Sequence, residues 1–142
     1  MLIGTILRNK GNAVTTVTPD ATVRELLAKL AEHNIGAVVV SGDGATITGI
    51  VSERDVVRRL NDRGAGILDQ PVSSIMTVEV HTVGPGDNVE ELRRTMTTHR
   101  FRHMPVVESG RLVGIVSIGD VVKSAIEELE TEKASLVDYL HR

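Results

Sequence analysis

One stretch of the chain occurs twice: Gly49-Ile50-Val51-Ser52-Glu53-Arg54-Asp55-Val56-Val57 and Gly114-Ile115-Val116-Ser117-Ile118-Gly119-Asp120-Val121-Val122. Each copy reads as a buried strand that enters a helix through a small hydroxyl residue, with an aspartate one turn later. The repeat extends upstream, where Pro19, Val23, Leu26, Leu30, His33 and Val40 align with Pro85, Val89, Leu92, Met96, His99 and Val106. A one-residue contraction between Ser41 and Gly49 restores the register. Such duplication constrains the fold before any local assignment does. It implies two copies of one supersecondary unit related by a pseudo-twofold. In a chain of 142 residues neither half has a comfortable surface-to-volume ratio alone, so the halves should pack together.

Hydropathy and turn chemistry give the order of elements. Leu2 to Leu7 is an apolar lead-in, read as a helical turn, broken by Lys10-Gly11-Asn12. Ala13 to Val17 reads as a strand and Thr22 with Glu25 as a capping box. Val23, Leu26, Leu27 and Leu30 give the next helix its apolar face. Ala37 to Val40 has the continuous apolar character of a strand buried on both sides. Thr46 to Val51 and Ser52 to Asn61 complete a β-α-β-β-α unit, and Arg63 to Gly66 is a glycine-rich hinge. The order then repeats: a turn at Val72 to Met76, a strand at Glu79 to Val83, a helix capped by Asp87 with Glu90, strands at Met104 to Val107 and Leu112 to Val116, and a last helix from Ser117. The fold class expected is α/β (α+β), with units at 1–65 and 66–126 and a helical extension at 127–142. Leu129, Leu136 and Leu140 leave an apolar stripe on that extension, which suits a homodimer contact.

Composition removes several function classes. The near absence of aromatics, one Phe and one Tyr, argues against a base-stacking platform for single strands, and the net charge of -3 against a phosphate-backbone binder. Without cysteine there is no disulfide, thiolate metal site or thiol nucleophile. His99 and His103 are four apart but fall where helix gives way to strand, so they do not share a face as zinc ligands must. No hydrolase elbow or phosphate-binding glycine loop is present, and the two motif aspartates lack a second catalytic group, so no enzyme is expected. No apolar run approaches membrane-spanning length and the N-terminus lacks a signal-peptide layout; a cytoplasmic location is expected.

Ser52 with Asp55, and Ser117 with Asp120, have N-cap and N3 spacing, so each pair can be a simple capping box. The same geometry also suits a ligand. A helix N-terminus with free N–H groups attracts a phosphate, and an acidic residue nearby can accept from ribose hydroxyls. Arg54, Arg102 and His103 flank the motifs and are the candidate phosphate partners. Arg58 and Lys123, one turn beyond each aspartate, read as solvated helix face.

The ordered set Thr18-Pro19-Asp20-Ala21-Thr22-Val23, Asn34-Ile35-Gly36-Ala37 and Arg102-His103-Met104-Pro105-Val106, with both copies of the terminal motif, resembles the CBS-domain pair, or Bateman module, over essentially the whole chain. The resemblance implies a regulatory module, here in stand-alone form, whose inter-sheet clefts bind an adenine nucleotide: AMP, ADP, ATP, NAD or S-adenosylmethionine. It implies flat dimers, and places the aspartates on ribose. It also implies an adenine slot from Thr16 and Val17 with Ile35, Gly36, Ala37 and Val38, and from Thr82 and Val83 with Phe101, Arg102, His103, Met104 and Pro105. The two sites differ, since Gly36-Ala37 stands where the second unit has Arg102-His103. The expected protein is thus a homodimeric nucleotide sensor with a possible protein target. Its alternatives are a ligand-independent dimeric interaction module and an RNA-contacting module.

Overall fold

The computed structural model describes residues 1–11 and 14–142. The elements are α1 (Ile3–Lys10), β1 (Thr16–Val17), α2 (Val23–His33), β2 (Ala37–Val40), β3 (Gly49–Ser52), α3 (Glu53–Arg63), two short 3-10 turns (Ala65–Asp69 and Val72–Ser74), α4 (Val89–His99), β4 (His103–Glu108), β5 (Arg111–Ser117) and α5 (Ile118–Leu140). In the first sheet β2 lies between a parallel β1 and an antiparallel β3, and all four residues of β2 are buried, as its apolar run requires. In the second sheet β4 pairs antiparallel with β5.

Local chemistry accounts for most boundaries. Thr22 and Glu25 make the reciprocal capping box at α2, and Asn34 ends that helix in the left-handed conformation. At α4 the expected cap is displaced: Asn88 is the N-cap, its Oδ1 accepting from Glu90 N–H, while Asp87 accepts from Gly84 N–H. The last helix has no internal stop and runs unbroken from Ile118 to Leu140.

Three elements differ from the sequence reading. The strand expected at Thr46 to Val51 forms at Gly49–Ser52. That expected at Ala13 to Val17 is described at Thr16–Val17, with Asn12 and Ala13 outside the described residues. The strand expected at Glu79 to Val83 is reduced to a parallel bridge between Val83 and Val106. Val83 N–H donates to Pro105 O and Val107 N–H to Val83 O. The next rung would need an N–H from Pro105, which has none, so the ladder stops after one step. In the first sheet the residue in that place is Val39, and the ladder there has two rungs, Thr16 with Val39 and Val17 with Val40.

The lead-ins trade places between the two units. Ile3, Ile6 and Leu7 of α1 pack with Val89, Leu92, Met96, Met104, Val106, Val116 and Val121 in the second core. Reciprocally, Ile67, Val72 and Ile75 pack with Val17, Val23, Leu26, Leu30, Val38, Val51 and Val56 in the first. The crossing is bridged twice in matching fashion, Leu2 with Asn88 and Pro71 with Thr22. The glycine that opens each repeated motif makes room for it. A Cβ on Gly49 would lie 2.8 Å from both Met76 Sδ and Thr77 O, and one on Gly114 2.6 Å from Leu7 Cδ2. Leu112 N–H donating to Ala45 O adds a main-chain link between the halves.

These clashes give a first test. Gly49→Ala should destabilise by about 1–3 kcal/mol, and more than Gly114→Ala, because at Gly49 the obstruction includes a backbone oxygen rather than only a side-chain tip. Denaturant midpoints of both variants, at constant m-value, measure it; equal or negligible losses would contradict the close passage.

Candidate functional site

The site is assembled at the ends of β3 and β5, where each strand becomes a helix. At α3, Ser52 Oγ accepts from Asp55 N–H at 3.2 Å, and Asp55 Oδ2 accepts from Ser52 N–H at 2.8 Å. At α5, Ser117 Oγ accepts from Asp120 N–H at 3.1 Å and Asp120 Oδ2 accepts from Ser117 N–H at 2.9 Å. Both motifs are therefore complete capping boxes. The first helical N–H is also used alike: Glu53 N–H donates to Gly36 O and Ile118 N–H to Arg102 O. These bonds hold each helix start against the entry of its neighbouring strand.

Between the two starts lies a cleft of about 780 Å³. Gly36, Ala37, Ser52, Arg54 and Asp55 line it from one unit, and Arg102, His103 and Ser117 from the other. Gly36 is at the seam: a Cβ there would stand 3.3 Å from Glu53 Oε1 and 3.5 Å from His103 Cε1. Arg58 and Arg100 also line the cleft. With Arg54 and Arg102 they give four guanidinium groups against the carboxylates of Glu53 and Asp55. Arg58 is exposed on α3, as a solvated helix face would be, and also borders the cleft. Arg100 ends α4 in the left-handed conformation, φ 58°, where glycine or asparagine is usual. Sequence spacing offered no signal for it. Phe101 lines the same cleft, and its ring packs against those of His81 and His99, with centroids at 4.9 and 5.4 Å.

The remaining candidates lie elsewhere. Thr16 and Val17 border a separate recess along α2 with Thr18, Ala21 and Lys29. Val38 is in the first core with Ile35 packed against it. Thr82 is exposed and Val83 is at its bridge to Val106. Met104 and Pro105 border a small recess with Ile50, Glu79 and His81. Asp120 is not on the cleft wall. Its Oδ2 accepts from Lys10 Nζ at 2.7 Å, and Lys10 donates a second bond to Ile115 O at 2.9 Å. Lys10 was invisible to the sequence reading, because only the exchange of lead-ins brings it here.

Two groups near the cleft titrate away from their ordinary values. Burial pushes the His103 imidazole down, as do the charges of Lys10 and Arg102, against the opposing pull of Asp120 and Glu53. Burial alone would raise Asp120, but the hydrogen bonds from Lys10 and Ser117 outweigh it and its carboxyl lies below the usual range. Among the described residues no group of three or more acidic or histidine side chains is placed to hold a metal, and no helix is long and apolar enough to cross a membrane.

The family model for the CBS domain matches residues 11–62 and 72–127. The chain belongs to the CBS-domain family. It is 34% identical over 146 aligned positions to the mitochondrial CBS domain-containing protein CBSX3 of Arabidopsis thaliana, covering 97% of this chain and 71% of that one. The crystal structure of the CBS-domain protein ATU1752 from Agrobacterium tumefaciens superimposes with a TM-score of 0.85 at 43% identity, over 88% of this chain and 99% of that one. The CBS pair of protein MJ0100, solved with 5′-methylthioadenosine and S-adenosyl-L-methionine, shares the fold at a TM-score of 0.80 and 22% identity, over 90% and 98% of the two chains. The two tandem units followed by a long C-terminal helix fit that family.

The depressed His103 fixes the sign of a pH effect. A group whose folded pKa lies below its ordinary 6.5 contributes stability that is complete above that pH and lost as pH falls through the window beneath it. Thermal stability should therefore drop between about pH 7 and pH 5, and His103→Gln should flatten that drop. Melting curves across the range decide it; parallel profiles for the two proteins would remove His103 as the cause.

Proposed function

We propose that the chain is a sensor module that binds an adenosine ligand in this cleft. The candidates are AMP, ADP, ATP, NAD and S-adenosylmethionine. The observation that carries the reading is the convergence of Ser52 and Asp55 from one unit with Arg102, His103 and Ser117 from the other on one cavity of about 780 Å³. That volume suits a ligand of nucleotide size. In the proposed mode Asp55 accepts the ribose hydroxyls and the guanidinium groups receive the phosphate or carboxylate end. The base lies against Phe101 and the strand entry at Gly36-Ala37. The adenosyl ligands of MJ0100 support the class of ligand, on a shared fold. Since the cleft walls come from both units, a ligand that touches both favours one relative arrangement of them by its differential affinity.

Asp55→Asn should weaken AMP or ATP binding by about 1.5–3 kcal/mol, the scale of a hydrogen bond to a charged group. Calorimetry alongside a melting curve separates this from unfolding. Full-strength binding by a folded variant would leave Asp55 as a cap alone. A second reading, a ligand-independent interaction module, is favoured by the fact that both aspartates already serve as caps. Thermal stabilisation by nucleotides separates the two.

We infer also that the module is a homodimer joined through α5. Leu129, Leu136, Tyr139 and Leu140 are exposed on a helix segment whose residues from Ile126 onward are all exposed. Spacings of seven and four put the three leucines on one face. Covering each leucine would contribute about 1.5–3 kcal/mol. Removing residues 128–142 should weaken the dimer while both units stay folded. Sedimentation of the truncated chain tests this: an undiminished dimer would put the interface elsewhere.

A further inference from the structure

The two motifs are alike in sequence and in capping geometry, but not in what reaches their carboxylates. Asp55 lines the cleft, and among the described residues no cation pairs with it; its Oδ2 takes only Ser52 N–H and the Ser52 hydroxyl, at 2.8 and 3.1 Å. Asp120 is off the cleft wall, its Oδ2 shared between Ser117 N–H and the Lys10 ammonium, at 2.9 and 2.7 Å. We propose that Lys10 is a specificity-determining residue that reserves ribose binding for Asp55, so that each chain holds one nucleoside and not two. This rests on the reading of the cleft as an adenosine site.

The physical reason is competition for one carboxylate. A ribose diol binds an aspartate by donating two neutral O–H bonds. At Asp55 it need only turn aside a neutral hydroxyl. At Asp120 it must displace an ammonium whose bond joins two opposite full charges, where each bond that replaces it joins a neutral donor to one. The ammonium is also held by Ile115 O at 2.9 Å, and the Asp120 side chain is 22% exposed against 37% for Lys10. The corresponding place in the other lead-in carries the opposite charge. In sequence Lys10 stands three residues after Leu7, against Gly114, as Glu79 stands three after Met76, against Gly49, although Lys10 ends α1 and Glu79 lies in a non-helical segment. An anion there cannot neutralise Asp55. The exchange of lead-ins thus closes one motif and leaves the other open.

Titrating the full chain with AMP, ATP and S-adenosylmethionine by calorimetry tests this, since all three carry the diol. Wild type should bind one equivalent per chain. Asp55→Asn should lose about tenfold or more in affinity, Asp120→Asn less than about threefold. Lys10→Met, which keeps the apolar stem and drops the charge, should gain a second equivalent, and Lys10→Arg should stay at one. Two equivalents in wild type, or a larger loss from Asp120→Asn than from Asp55→Asn, overturns the inference but leaves the cleft a nucleotide site. One equivalent in a folded Lys10→Met overturns the role of Lys10. No binding of any of the three probes overturns the adenosine reading itself, and this inference with it. Should Lys10→Met not fold, the wild-type stoichiometry and the two aspartate variants still decide.

Discussion

The two halves of this chain are joined at a pair of glycines. Where a side chain would ordinarily stand on β3 and β5, the lead-in of the other unit lies against the strand, Met76 and Thr77 over Gly49 and Leu7 over Gly114. Each core is then completed by residues from outside its own repeat, Ile67, Val72 and Ile75 in one and Ile3, Ile6 and Leu7 in the other. Neither repeat encloses its hydrophobic surface unaided, which is the general condition of repeat architectures. Everything at the cleft follows from that mutual closure. The motifs face one another because the strands that lead to them are tied crosswise.

Duplication made much of this legible. The equivalence of Ser52 with Ser117 and Asp55 with Asp120 appears directly in the sequence, as does the helix they cap. The buried run Ala37 to Val40 announced itself by composition, and the C-terminal helix by the lack of any stop. What stayed hidden depended on contacts between residues far apart in the chain. Lys10 meets Asp120 across more than a hundred positions, and no local pattern marks the encounter. The lost strand at Glu79 to Val83 is a different failure. Its own residues favour a strand, but its partner offers a proline where a donor is required.

The electrostatics of the cleft are also a product of assembly. The chain as a whole is mildly acidic, with a net charge of -3, yet four arginines border one cavity. Two of them, Arg100 and Arg102, flank the single phenylalanine, so charge and apolar surface meet in one short segment after α4. Arg100 is held there by a left-handed backbone that aspargine supplies at the matching Asn34. A conformation that arginine adopts at some cost places its side chain on the cleft wall.

The helix α5 begins on the cleft wall and ends in solvent, and nothing interrupts it over its 23 residues. At about 1.5 Å per residue it is a rod roughly 35 Å long. Its first residues and the N-cap Ser117 line the cleft between the units. A rotation of only about 5° at that end would carry the far end by about 3 Å, more than half a helical turn. Displacements too small to disturb either core are thereby magnified at Tyr139 and Leu140. The chain has the geometry of a pointer, with its bearing at the cleft and its tip where another surface can read it.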